Sequence, residues 1–239
     1  MNQGTYPLAA SMVNQINRID VVSNNLANIN THGFKQEDTT EGSFNYYLQR
    51  AQNEGFTPTK INTVTNTIPK MDSKYINSEM GPIMPTGNAL DFALNSSDTF
   101  FRVQDSSGEV VYTRDGAFKN LNGFLVDSNG QFVLGNDNGP IEVADDFQNQ
   151  ISIAKISYTD IEKYKDNNYK EKDGAAVQVL ENIEGELIQG AIEKSNVNSV
   201  SSMVQLIEAH RSFEQSQKAV SSIDQMNGKL IDKLGNNNS

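Results

Sequence analysis

The 239-residue chain carries 19 Lys and Arg against 30 Asp and Glu, a formal charge of −11, which argues against nucleic acid or an anionic membrane surface as its main partner. It has no Cys, removing disulfides, thiolate metal sites and Cys nucleophiles, and its two histidines, His32 and His210, are too few for a multi-His metal cluster. Its apolar runs are far shorter than the roughly 20 residues a bilayer span needs, and Met1–Pro7 has neither region of a secretory signal.

Charge divides the chain into three. Residues 1–60 hold four basic and five acidic side chains, 196–239 hold four of each, and 61–195 hold 11 and 21. Near-neutral ends suit dense packing against copies of themselves, whereas an acidic middle suits solvent.

The N-terminal segment reads as a helix within 1–34. Ala9, Met12, Ile16, Ile19, Ser23 and Leu26 follow a 3-4 spacing that predicts one buried face, widened by Val13 and Val22. Pro7 suits the first turn, and the helix should stop near Asn28–Asn30 with Gly33 beyond it in a left-handed conformation. Residues 35–79 fit neither period and read as an extended connector, with Phe44–Leu48 a short helix or strand.

From 80 to 190 the period is two. Phe92–Leu94, Thr99–Val103, Glu109–Thr113, Phe124–Val126, Gln131–Leu134 and Ile151–Ile156 predict strands. Ser107-Gly108, Asn122-Gly123, Asn129-Gly130 and Asn138-Gly139 separate them as hairpin turns. Val177, Val179, Ile183 and Leu187-Ile188 add one or two more strands. An antiparallel β domain is expected.

The C-terminal segment, 195–235, carries the strongest pattern. Leu206, Ala209, Phe213, Ser216, Val220, Ile223, Asn227, Leu230 and Leu234 alternate by three and four, the seam of a coiled-coil helix. Ser195-Asn196 supply candidate N-caps and Gly235 a stop. The fold class is therefore α+β: N- and C-terminal helices pairing as a coiled coil, with an inserted antiparallel all-β domain.

Motifs for chemistry are absent. There is no Gly-x-Ser-x-Gly elbow and no Walker loop. Asp127-Ser128-Asn129-Gly130 lacks calcium-loop spacing and reads as a turn. The expectation is a protein that is not an enzyme, with no cofactor and no metal. Its rivals are a soluble β-domain module for a carbohydrate or cell-wall ligand and, more weakly, a hydrolase using paired carboxylates.

Three stretches carry a resemblance. Ser23-Asn24-Asn25-Leu26-Ala27-Asn28-Ile29-Asn30-Thr31-His32-Gly33-Phe34-Lys35 resembles the N-terminal signature of the flagellar basal-body rod and hook proteins. Pro85–Leu94, then Phe100–Val103 and Tyr112–Phe118, resemble that family's β-domain opening, although Asn95–Thr99 stands where a Gly-x-Gly-like turn is common. Ser195–Val200, Met203-Val204 and Ile207–Glu214 resemble its C-terminal helix.

The resemblance implies an axial structural subunit of the bacterial flagellum, in the periplasmic part of the rod. Export would run through the flagellar type III apparatus, with the ends unfolded and no signal peptide cleaved. Its partners would be copies of itself and other rod, hook or ring proteins, with no nucleic acid and no membrane insertion. Chain length favours the proximal rod, with distal-rod and hook subunits as alternatives.

Residues assigned to subunit assembly are Met12, Ile16, Ile19, Asn25, Leu26, Asn28 and Phe34 at one end. At the other they are Leu206, Phe213, Val220, Ile223, Leu230 and Leu234. The asparagines either cap the helix and bond a neighbour or the connector, or fray the helix into a turn. Phe34 is either an anchor on a neighbouring helix or an intrachain staple. Asn227 either fixes register or is a locally solvated position.

Overall fold

The computed structural model describes residues 5–43, 69–180 and 185–236. They divide into two compact units, one from residues 1–26, 37–75 and 199–239, the other from 27–36 and 76–198. The class is α+β, with a helix near each end of the chain and an antiparallel β domain between them.

The first unit holds helix α1 (Thr5–Ala27), strands β1 (Glu37–Ser43) and β2 (Pro69–Ile76), and helix α2 (Ser199–Asn236). Strands β1 and β2, both within the 35–79 stretch, pair as a two-stranded sheet. Phe44–Leu48 lies outside the described residues.

The buried face of α1 differs from the one its apolar spacing predicts. Asn14, Val21, Val22 and Asn25 are buried, while Ala9, Ile16 and Ser23 are exposed and Met12, Ile19 and Leu26 lie between. The reason is local: the Asn25 side chain donates to the Glu37 carbonyl (2.7 Å) and accepts the Glu37 N–H (3.0 Å). Two bonds to the first residue of β1 satisfy that backbone and turn the Asn25 side of α1 inward.

Helix α2 also departs at both ends. It starts at Ser199, not directly after Ser195-Asn196, and it runs through Gly235 to Asn236. Asn196 is not its cap, because its oxygen accepts the Gln36 N–H (2.7 Å) and its nitrogen donates to the carbonyls of Asn77 (3.1 Å) and Glu79 (2.9 Å). Ser195 is spent on the nearby Val197 N–H (3.3 Å).

The second unit is the β domain. In chain order it comprises β3 (Ile83–Pro85), β4 (Phe92–Leu94), β5 (Thr99–Gln104), β6 (Val110–Thr113) and β7 (Lys119–Leu121). There follow β8 (Phe124–Val126), β9 (Phe132–Val133), β10 (Ile153–Lys155), β11 (Ile161–Lys163) and β12 (Tyr169–Glu171). The last three are β13 (Gln178–Val179), β14 (Leu187–Gln189) and β15 (Ala191–Glu193).

The main sheet runs β11-β12-β6-β5-β9-β8-β7, with β10 joining both β5 and β13. Pairs β14-β4 and β15-β3 stand apart from it. The register places Arg102 opposite Tyr112 and Phe100 opposite Ala154.

Strand β5 is the centre of this sheet, and both its faces are covered. Phe101 and Val103 join Phe92, Val111, Phe118 and Leu125 in one core. Phe100 joins Tyr112, Ala154, Ile161 and Tyr169 in the other. Alternation sends neighbours to opposite faces, so two adjacent buried Phe rings require a core on each side. Edge-to-face contacts order the rings, Phe101 on Phe118 at 5.0 Å and Phe100 on Tyr169 at 5.5 Å.

Turns follow residue chemistry. Asn122 (φ 54°) and Gly123 (φ 91°) are both left-handed, the requirement of the tight turn joining β7 to β8. The β11–β12 hairpin uses Asp166 (φ 56°) and Asn167 (φ 63°) for the same purpose without a glycine.

Candidate functional site

Helix α1 ends where asparagines take over. Thr31 donates its N–H to the Asn28 carbonyl (3.1 Å) and its hydroxyl to the Asn28 side chain (3.1 Å), closing a turn. Gly33 then adopts φ +65°, and a Cβ there would lie 2.3 Å from the Arg114 carbonyl carbon. Only glycine lets the backbone approach so closely. Its N–H donates to the Glu193 carbonyl (2.8 Å).

This loop belongs to a buried ionic cluster that the sequence reading missed. Lys35 Nζ donates to Glu193 Oε1 (2.7 Å) and to the Glu79 carbonyl (2.7 Å). Gly81 N–H donates to the same Oε1 (2.8 Å). Arg114 Nε donates to Glu193 Oε2 (2.7 Å), and its Nη2 lies 2.6 Å from that oxygen. The third guanidinium nitrogen, Nη1, donates to the carbonyls of Ser96 (2.8 Å) and Thr99 (2.6 Å). Asn95–Thr99, the stretch that departs from the family pattern, thus receives a buried arginine.

All three charged side chains are buried, and two cations face one carboxylate. Burial lowers the Lys35 pKa to about 8, with Arg114 adding repulsion and Glu193 opposing both. The arrangement ties the loop after α1 to the β domain through charge and backbone together. Arg114 lies in the quoted Tyr112–Phe118 motif, and a Glu closing the short apolar pair Ala191-Ile192 is the one sequence hint of its partner.

Phe34, assigned to assembly, is buried within its own unit, with Lys163 Nζ 3.9 Å from its ring centre. Lys163 also donates to the Lys35 carbonyl (2.9 Å). Asn25 bonds β1, as described, and Asn28 is half-buried.

On α2, Leu206, Phe213, Val220 and Ile223 are half-buried and Ala209 is fully buried. The side chains of Leu230 and Leu234 lie outside the described residues. A cavity of about 190 Å³ in the helical unit is lined by Arg18, Val21 and Val22 of α1, Asp38 and Thr39 of β1 and Gln205 of α2. Several large apolar side chains remain in solvent: Val13 (56% exposed) and Ile16 (45%) on α1, and Val200 (72%), Met203, Val204 and Ile207 (52%) on α2.

His32 Nδ1 lies 4.0 Å from Asp115 Oδ1 and His210 is exposed. Among the described residues no three His, Asp or Glu side chains gather around a common point. Asp127 accepts the N–H groups of Asn129 (2.9 Å) and Gln131 (2.8 Å) and closes a turn. Among the described residues no helix is long and apolar enough to cross a membrane.

A helix near each end of the chain and an antiparallel β domain between them in sequence define an α+β protein with exposed apolar side chains on both helices. Three family models match the chain in order. Residues 11–35 match "Flagella basal body rod protein", 96–157 match "Flagellar hook protein FlgE/F/G D1 domain", and 188–233 match "Flagellar basal body rod FlgEFG protein C-terminal".

Among curated relatives, the flagellar basal-body rod protein FlgG of Buchnera aphidicola is 30% identical over 90% of this chain and 93% of its own length. The rod protein FlgF of Caulobacter vibrioides is 31% identical over 91% of each chain. The FlgG of Borreliella burgdorferi is 30% identical over 95% of this chain and 97% of its own. The chain belongs to the flagellar basal-body rod protein family.

Proposed function

We propose that the chain is a structural subunit of the flagellar rod, which joins copies of itself and other rod, hook or ring proteins through its terminal helices. The observation that carries this reading is α2: 38 residues, about 57 Å at 1.5 Å per residue, with Val200, Met203, Val204 and Ile207 in solvent. An apolar helix face left in water in a chain of this family is best accounted for by a neighbouring subunit that covers it.

In this reading the half-buried line from Leu206 to Ile223 is the seam on which the two terminal helices pair as a coiled coil. The subunit carries torque by packing, without catalysis. It reaches the periplasm through the flagellar export apparatus. Rod proteins named FlgG and FlgF both match at nearly full length, which supports the rod subunit as such, with the proximal rod as the finer reading that chain length suggests.

The test is incorporation in cells. Leu206→Asp and Phe213→Asp place a carboxylate in the seam, and each is expected to remove the chain from isolated basal bodies and abolish swimming. The β domain should keep its fold, read by near-ultraviolet circular dichroism, because neither residue belongs to it. Normal incorporation of both variants would defeat the reading.

A further inference from the structure

Behind the turn at Asn138-Gly139 lies a buried cation that has no anion. Arg102 of β5 donates from Nη1 to Ser152 Oγ (3.0 Å) and from Nη2 to Asn138 Oδ1 (2.6 Å), while its Nε has no partner. Among the described residues Arg102 is buried and makes no ion pair. A guanidinium only donates, so the amide oxygen of Asn138, and not its nitrogen, faces the charge. Next along the chain, the Gly139 N–H donates to Asp137 Oδ1 (3.1 Å). Asn138 itself is exposed to water and left-handed (φ 62°).

We propose that Asn138 is a self-modification site, at which the chain converts its own asparagine to aspartate and releases ammonia. The Gly139 nitrogen attacks Asn138 Cγ and passes its proton to the Asp137 carboxylate. The amide oxygen becomes an oxyanion, held where Arg102 already donates. Collapse of that intermediate breaks the Cγ–Nδ2 bond, and the departing nitrogen takes the proton from Asp137 and leaves as ammonia. A five-membered succinimide joins residues 138 and 139. One water opens it, at the side-chain carbonyl to give aspartate or at the main-chain carbonyl to give isoaspartate. In sum one water is consumed, one ammonia is released and Asp137 is regenerated. Opening to aspartate gives the buried guanidinium the carboxylate it lacks.

The chain carries its own comparison. Asn122-Gly123 and Asn129-Gly130 are the same dipeptide in the same kind of turn. There the Gly123 N–H donates to the Asn120 side-chain oxygen (2.9 Å) and the Gly130 N–H to the Asp127 carbonyl (3.2 Å), and neither acceptor is a base. Asn129 spends its amide nitrogen on the Asp166 carbonyl (3.2 Å). Among the described residues no cation bonds the oxygen of Asn122 or Asn129. Asn227-Gly228 lies inside α2, where the helix fixes the backbone.

The test is to hold the full-length protein at neutral pH and follow each site by peptide mass mapping, with aspartate and isoaspartate separated. In the folded protein Asn138 is expected to convert at least about tenfold faster than Asn122 or Asn129. In denaturant, where the dipeptide alone sets the rate, the three should agree to within about twofold. Asp137→Ala, at an exposed position, should slow Asn138 about tenfold and leave the other two sites unchanged.

Arg102→Gln should slow the same site, with near-ultraviolet circular dichroism verifying the fold. Should that variant unfold, Asp137→Ala decides alone. Equal rates at the three sites in the folded protein, or an Asn138 rate that Asp137→Ala does not change, overturns the proposal. Neither result touches the rod reading, which rests on the helices.

Discussion

Replacing Glu193 by Gln keeps the shape of the side chain and removes its charge, leaving Lys35 and Arg114 as two buried cations with no anion between them. Removing one partner of a buried ion pair costs about 3–5 kcal/mol, because the other charge stays desolvated. The protein has one escape, which is to neutralise Lys35. At pH 7.5 that costs only about 0.7 kcal/mol, half a pKa unit below the folded value of about 8 at 1.36 kcal/mol per unit, but it leaves Arg114 buried without its anion. The unpaired Arg114 therefore sets the loss, about 3–5 kcal/mol, and for a domain of this size it lowers the β-domain Tm by about 10–15 °C.

Lys35→Met is the contrasting variant. It leaves Glu193 paired with Arg114 and bonded to the Gly81 N–H, so its expected cost is below about 1 kcal/mol. The double variant should be more stable than Glu193→Gln alone, since only one cation is then left unmatched. Thermal and denaturant unfolding followed by near-ultraviolet circular dichroism measure all four proteins. A Lys35→Met loss equal to that of Glu193→Gln would refute the reasoning, for it would make the lysine a required partner and not the surplus charge.

Three further outcomes are expected. The folded chain holds Lys35 at a pKa of about 8, below its unfolded value, so between about pH 8 and 10.5 the unfolded state binds more protons and this group makes stability rise with pH; subtracting the profile of Lys35→Met from that of the wild type isolates the slope, and an equal slope in both argues against the burial of its charge. Gly33→Ala forces a Cβ to within 2.3 Å of the Arg114 backbone in a left-handed conformation and should cost about 2–4 kcal/mol, read as earlier proteolysis after Lys35. Asn25→Ala removes both bonds to Glu37 and should cost about 1–3 kcal/mol; Asn25→Asp, which keeps the acceptor and loses the donor, should fall between, and equal denaturation midpoints for all three proteins would deny the bonds a role.

What the sequence disclosed depended on how local the cause was. Both helices and the six principal strands were readable because apolar period and aromatic runs act over a few residues. The Asn122-Gly123 turn was readable because its chemistry is its own. The β11–β12 hairpin was not, since Asp166 and Asn167 occupy left-handed positions without the glycine that usually signals them. Nor was the inward face of α1, which carries apolar residues on two adjoining stripes. A bond from Asn25 to a strand twelve residues on decides between them. The ionic cluster was least visible: Lys35 and Arg114 meet Glu193 across 158 and 79 residues of chain. In composition those residues count only as ordinary surface charges.

The bonding around Gln36 and Asn77 bears on how members of such a family can differ in length. The Asn77 N–H donates to the Gln36 carbonyl at 2.8 Å, so the chain leaves and returns to the β domain at one point. Whatever lies between those two residues is a closed excursion, and its closure entropy grows only with the logarithm of its length, about 0.6 kcal/mol for each doubling. Evolution can therefore lengthen or shorten the excursion there without moving a residue of the domain, and an experimenter inserting a tag or probe has the same freedom.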